Sequence, residues 1–217
     1  DTYRTLTAVD SVIMVIDCAN GVEAQTEKLM EVCRMRDTPV IVFINKMDRE
    51  GQDAFDLLDE IESKLKIKVR PMSWPVGIGA TFKGVYHMQK DELNLFDGNK
   101  TSIEKNVIKT KGIHDQALSD LIGKEETEIL KEEVELVDGV YDKFDRKKYL
   151  EGKIAPVFFG SALNNFGVQE LLDSLIDISP FPQGRYTEKR TIEPNEDKFS
   201  GFVFKIHANI DPKHRDR

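Results

Sequence analysis

Three short apolar runs limit the fold more than any other feature: Val12 to Ile16, Val40 to Ile44 and Pro156 to Phe159, each ending abruptly in polar or turn residues. They are too brief for buried helices and lack the alternation of a half-wetted strand. They therefore read as strands covered on both faces, the habit of parallel sheets. Between the first two lies EAQTEKLMEVCRMR, where Leu29, Met30, Val32 and Cys33 recur at helical spacing and Asp37-Thr38-Pro39 ends the helix. Strand, helix and strand in that order make a β-α-β unit and an α/β fold class. After the second run Asp53 is placed to cap a helix with Leu57, Leu58, Ile61 and Leu65 on one stripe. After the third, Val168, Leu171, Leu172, Leu175 and Ile176 form another stripe.

From about Ile67 to Gly152 the rhythm breaks. Strand-like pieces at Val69 to Val76, Lys83 to Met88 and Ile103 to Lys109 are separated by Gly and Asp-Gly turns. An acid-rich helix follows, GKEETEILKEEVELVDGV, with Ile129, Leu130, Val134 and Val137 on one face. This interval reads as an α+β insertion, and the acids of its helix as a solvated face. Beyond Pro180, PFPQGRYTEKRTIEPNED has the composition of an extended linker, and FSGFVFKI alternates like a strand with one face in a core. The expected organisation is 1–66 and 153–180 as one parallel-sheet core, 67–152 as the inserted subdomain, 181–197 as linker, and 198–217 as the start of a β-barrel domain.

The chemistry lies where the apolar runs stop. PVIVFINKMDREG passes from a buried strand to Asn45, Lys46 and Asp48 within four positions, at the carboxyl end where open α/β sheets hold ligands. A carboxylate can accept two parallel hydrogen bonds from a planar N–H pair. Guanine offers such a pair through N1–H and its exocyclic amine, and adenine does not. Adenine would leave the carboxylate buried and unpaired, at about 1–3 kcal/mol. Lys46 can lay its stem over a flat base while its ammonium stays wet. Asn45 can tie neighbouring loops together or reach the base. A second strand end, PVFFGSAL, places Ser161, Ala162 and Leu163 in a tight turn whose backbone N–H groups can meet the guanine O6 while the Ser161 hydroxyl braces the loop.

Together AVDSVIMVIDCANGVEAQTEKLMEVC, VFINKMDREG and FFGSALNNFGVQELLD resemble the G domain of the translational GTPases, with the Asn-Lys-x-Asp and Ser-Ala-x guanine motifs both present. SWPVGIGATFKGVYHM is similar to the subdomain inserted in elongation factor G and its relatives. DTYRTLTAVD, the Trp74 segment and DKFSGFVFKIHANIDPKHRDR resemble the branch formed by the bacterial peptide chain release factors three. The resemblance implies a partial P-loop-GTPase-type parallel sheet with an α+β insertion, followed by the start of a β-barrel domain. It implies that Asn45, Lys46, Met47, Asp48, Ser161, Ala162 and Leu163 surround the guanine of GTP or GDP. It also implies that the phosphate loop, both switch motifs and the Mg2+ site lie upstream of Asp1. The chain is thus expected to be a piece of a longer parent, inert by itself and without catalytic residues of its own. The parent would be a ribosome-dependent GTP hydrolase that recycles decoding release factors after termination. Two alternatives stay open: an elongation factor G-like or ribosomal protection GTPase, and a nucleotide-free interaction module in which the Asn-Lys-x-Asp turn is only a capped loop.

Other features carry less. Gly79 to Gly84 has the spacing of a phosphate-loop start, but Val85 and Tyr86 follow where Lys and Ser or Thr would stand, so these are turn glycines. His87, His114, His207 and His214 show no metal spacing. Asp17 reads as the cap of a turn with Asn20 and Gly21, and Cys18 and Cys33 as small buried hydrophobes rather than a disulfide. A formal charge of −8 argues against a phosphate-backbone binder. No apolar run approaches the roughly 20 residues of a bilayer-crossing helix, and no signal-peptide pattern opens the chain, so no membrane partner and a cytoplasmic location are expected. A sheet missing its phosphate-loop strand would expose an edge at Val12 to Ile16, through which the piece is expected to self-associate.

Overall fold

A computed structural model describes residues 2–96 and 107–206. A helical turn α1 (Thr2–Thr5) continues through a 3-10 turn, Leu6–Ala8, into β1 (Val12–Asp17). Helix α2 (Ala24–Met35), β2 (Val40–Asn45), α3 (Ala54–Leu65) and β3 (Lys68–Pro71) follow. Next come β4 (Ser73–Val76), β5 (Gly84–His87), β6 (Glu92–Leu95) and β7 (Val107–Lys109). Helices α4 (Ala117–Ile122), α5 (Lys124–Val140) and α6 (Arg146–Leu150) lead to β8 (Ile154–Phe159) and α7 (Val168–Ile178). A short hairpin, β9 (Arg185–Tyr186) and β10 (Thr191–Ile192), comes last.

The three apolar runs are parallel neighbours, in a sheet ordered β1-β2-β8-β3. Strands β2 and β8 are buried on both faces, apart from the half-buried Asn45 that ends β2. Strand β1 is not: it lies at the sheet's edge and leaves Val15 57% exposed. The fourth strand comes from the stretch expected to be one piece from Val69 to Val76. Met72 divides it. Its N–H still bonds Val157 of β8 at 2.8 Å, while its carbonyl already accepts from Met88 at 3.0 Å. The chain thus leaves the parallel sheet and enters the antiparallel sheet β4-β5-β6-β7 across one residue.

The helices follow their stripes unevenly. Asp53 caps α3, accepting from Phe55 N at 2.8 Å, and Leu57, Leu58, Ile61 and Leu65 are all buried as expected. On α7 only part of the stripe is inside: Leu171 is buried and Val168 and Leu175 are half-buried, but Leu172 is 42% and Ile176 79% exposed. Five apolar residues span more of the helix circumference than one sheet face can cover, and those roughly 100–140° off the Leu171 line turn outward. On α5, Leu130, Val134 and Val137 are buried, while Ile129 is about half exposed. Cys18 and Cys33 are buried and unpaired, and burial pushes both thiols up.

The insertion shares its core with the parallel sheet. One hydrophobic cluster contains Val42, Ile44 and Phe159 together with Trp74, Phe82, Tyr86, Leu93 and Leu130. Trp74 is fully buried against Phe55 (centroids 4.7 Å apart) and Phe159 (5.6 Å), and its Nε1–H donates to Glu133 of α5 at 2.7 Å. Buried Arg70 of β3 holds the same helix, donating to Asp138 at 2.5 Å and to the Tyr141 carbonyl at 3.3 Å.

The linker stretch holds the β9–β10 hairpin, tied to the start of β1 by an Arg185–Asp10 ion pair at 2.9 Å. The alternating tail finds no strand partner among the described residues: 199–206 carry no ladder, and Phe199 is 100% exposed. Alternation supplies an apolar face but not the neighbour that must cover it. The strand-like piece Ile103 to Lys109 is described only from Val107, and His207 and His214 lie outside the described residues.

His87 on β5 is 3% exposed, packs 6.5 Å from Phe158, and has no hydrogen-bond partner on either ring nitrogen. Burial, then the nearby Lys90, lowers its pKa from 6.5 to about 4. A base depressed in the folded state contributes its stability in full above the unfolded value, and loses it as pH falls from 6.5 towards 4. Between pH 7 and pH 5 this one group should remove about 2 kcal/mol. Denaturant midpoints at the two pH values should lie closer together in His87→Leu than in the wild type; equal separation would refute the assignment.

Candidate functional site

Parallel register brings three strand ends to one level. Asp17 pairs across from Asn45, and Phe159 from Ile44, so the segments after β1, β2 and β8 emerge side by side. Sequence reasoning placed Asn45 to Asp48 and Ser161 to Leu163 at such ends, and the structure brings both groups together.

The two loops are bonded to each other. Gly160 N donates to Ile44 O at 3.0 Å, Met47 N donates to Gly160 O at 3.1 Å, and Asn45 Oδ1 accepts from Ala162 N at 2.8 Å. A side chain at Gly160 would put its Cβ 2.3 Å from the Phe166 carbonyl oxygen, so only glycine admits this approach. Binding a base O6 at the Ala162 N–H therefore requires that its bond to Asn45 be shared or exchanged.

Lys46 occupies the left-handed region, with φ +68°. Such a conformation costs of order 1 kcal/mol without glycine. It is held by Arg49 N on the Lys46 carbonyl at 2.9 Å and by the Cys18 thiol on the same oxygen at 3.1 Å. The turn sends Lys46 Nζ to Asp17 Oδ2 at 2.5 Å. Asp17 does have the capping role read from sequence, with Ala19 N on its Oδ1 at 2.9 Å and its carbonyl accepting from Gly21 N at 2.8 Å. The Lys46 ammonium beside it holds its carboxyl below the usual range. The pair is partly wet, so it adds little stability; its effect is to fix the lysine stem along the mouth of a concavity lined by Val15, Asp17, Asn20, Asn45 and Lys46.

Met47 differs from its neighbours. It is 1% exposed and belongs to the core cluster, while its carbonyl accepts from Gly79 N at 2.9 Å. It anchors the loop from below, and the Gly79 turn of the insertion docks on it. Asp48 is half-buried, and its Oδ2 accepts from Asn164 Nδ2 at 3.2 Å. Ser161 is buried, with its Oγ accepting from the same Asn164 nitrogen at 3.0 Å. Leu163 is 79% exposed at the rim.

The carboxylate therefore keeps Oδ1, which makes no hydrogen bond among the described residues, and the second lone pair of Oδ2. Oδ1 and the open lone pair of Oδ2 are thus acceptor positions without a donor, and the Lys46 ammonium is held by Asp17. Asp17 and Asn164 are the contributors that motif reading did not assign to the site. An acid at the end of the adjacent parallel strand was the available signal for Asp17; no local signal marked Asn164.

Compared with known families, residues 1–180 match the model of the elongation factor Tu GTP binding domain.

Proposed function

Since that match covers most of its 217 residues, the chain belongs to the elongation factor Tu GTP-binding domain family, whose members bind guanine nucleotides and hydrolyse GTP; within that family we propose that it reads the base for a GTPase acting in translation termination. The observation that carries the base-reading proposal is the half-buried Asp48 carboxylate with open acceptor positions, two residues after a lysine pinned by Asp17.

In this reading Asp48 accepts from guanine N1–H and the exocyclic amine, Lys46 stacks, and Asn45 with Ser161, Ala162 and Leu163 closes the pocket around O6. Met47 holds the loop from the core. In this reading these residues supply base recognition, and the contacts to phosphate and the usual Mg2+ are made by other groups. The termination role rests on the resemblance of DTYRTLTAVD, the Trp74 segment and the terminal FKIHANIDPKHRDR to the release-factor-three branch. The partners are then the ribosome and the decoding release factors, in the cytoplasm.

The full-length protein, titrated with fluorescent GDP and ADP, should prefer GDP by at least about tenfold, because one hydrogen bond to a charged group contributes about 1.5–3 kcal/mol. Equal binding of both purines would end the proposal and favour an interaction module. A ribosome assay separates the tasks within the family: faster release-factor recycling is expected, and faster translocation instead would move the protein to the elongation factor G-like group.

A further inference from the structure

We infer that Asn164 is a specificity-determining positioning residue, which sets the plane of the Asp48 carboxylate; the inference rests on the base-reading proposal. Asn164 ends a 3-10 turn, Ala162–Asn164, whose backbone is closed on itself. Ser161 N donates to Phe166 O and Phe166 N to Ser161 O, both at 2.9 Å, and Asn164 N donates to Ser161 O at 3.2 Å. The base of this side chain therefore has little freedom.

Its amide can face only one way. A carboxylate accepts and cannot donate, so Asn164 must present its NH2 to Asp48. The two N–H bonds then serve two loops, one to Asp48 Oδ2 at 3.2 Å and the other to Ser161 Oγ at 3.0 Å. Ser161 is 1% exposed and fixed, so the amide transfers its position to the carboxylate. Each carboxylate oxygen has two lone-pair directions, so this bond leaves both oxygens open to a ligand. Because the donor is fixed, the bond favours those rotations of the carboxylate that keep Oδ2 within hydrogen-bond reach of it. Two parallel hydrogen bonds demand a defined plane, whereas one hydrogen bond can follow a turning acceptor.

The consequence falls on the 2-amino group of guanine. Hypoxanthine keeps N1–H and lacks that amine, so the ratio of GDP to IDP affinity measures whether both bonds are made. In the full-length protein Asn164→Ala should weaken GDP about tenfold and IDP about twofold, contracting the ratio about fivefold, as expected for partial loss of one charged hydrogen bond. Asn164→Asp has nearly the same volume with acceptors in place of donors. It should contract the ratio at least as far, which a packing role would not produce. Melting temperatures would show that both variants fold, and the aspartate variant keeps the test open if alanine loosens the turn. An equal fall for both nucleotides, or no change, overturns the inference while guanine-over-adenine preference stands. A wild type without that preference overturns the base-reading proposal, and this inference with it.

Discussion

Asp48→Asn is expected to lower the affinity of the full-length protein for GDP by about a hundredfold, and to abolish its preference over ADP. The amide that replaces the carboxylate has one acceptor and two donors. Turned either way, it sets a donor against one N–H of the guanine edge, so a hydrogen bond to a charged group is lost and a buried polar group is left unpaired. Together these amount to about 2.7 kcal/mol, or two factors of ten. The fold should not suffer, because the carboxylate is half-buried and its one hydrogen bond, from Asn164, can be accepted by an amide oxygen. Nucleotide titration by fluorescence with parallel melting curves checks both halves. An unchanged GDP:ADP ratio in a folded variant would show that the base lies away from residue 48.

Trp74→Ala should remove about 4 kcal/mol of stability, the range for deleting a large buried aromatic. The indole contacts Phe55 on α3 and Phe159 at the end of β8, so the vacancy opens between the parallel sheet and the insertion. It also takes the donor from Glu133, whose carboxyl burial already raises in pKa. Trp74→Phe should cost less, retaining most of the ring contact and losing only the N–H. Denaturant unfolding of the two variants tests the shared core. A loss below about 1 kcal/mol for alanine would mean that the insertion folds on its own, because a vacancy between two independent units can close by their separation. Since Phe159 is followed by Gly160 and Ser161, the alanine variant should also weaken GDP, through the loop rather than through any contact with the base.

Much of the candidate site is legible in the amino-acid sequence alone. Asn45, Lys46 and Asp48 stand out because they interrupt an apolar run at the end where parallel sheets bind ligands, and Ser161 stands out for the same reason. The strands, the helix stripe of α3 and the Asp53 cap were legible as well. Each depends on residues a few positions apart, within reach of a single turn or pleat.

What failed to show depends on distant neighbours. The exposed Val15, the outward Leu172 and Ile176, and the passage between sheets at Met72 reflect what covers each element, which periodicity does not encode. The same holds for the two partners missed at the site. Asp17 meets Lys46 across 29 positions, and Asn164 meets Asp48 across 116. The sequence by itself determined which strand ends carry chemistry, since a polar residue closing a buried run is a local fact. Only the tertiary structure decided which of those groups face one another. Parallel register and a turn packed on glycine set distances to within a hydrogen bond, and a shift of one residue along any strand would turn its side chains to the other face.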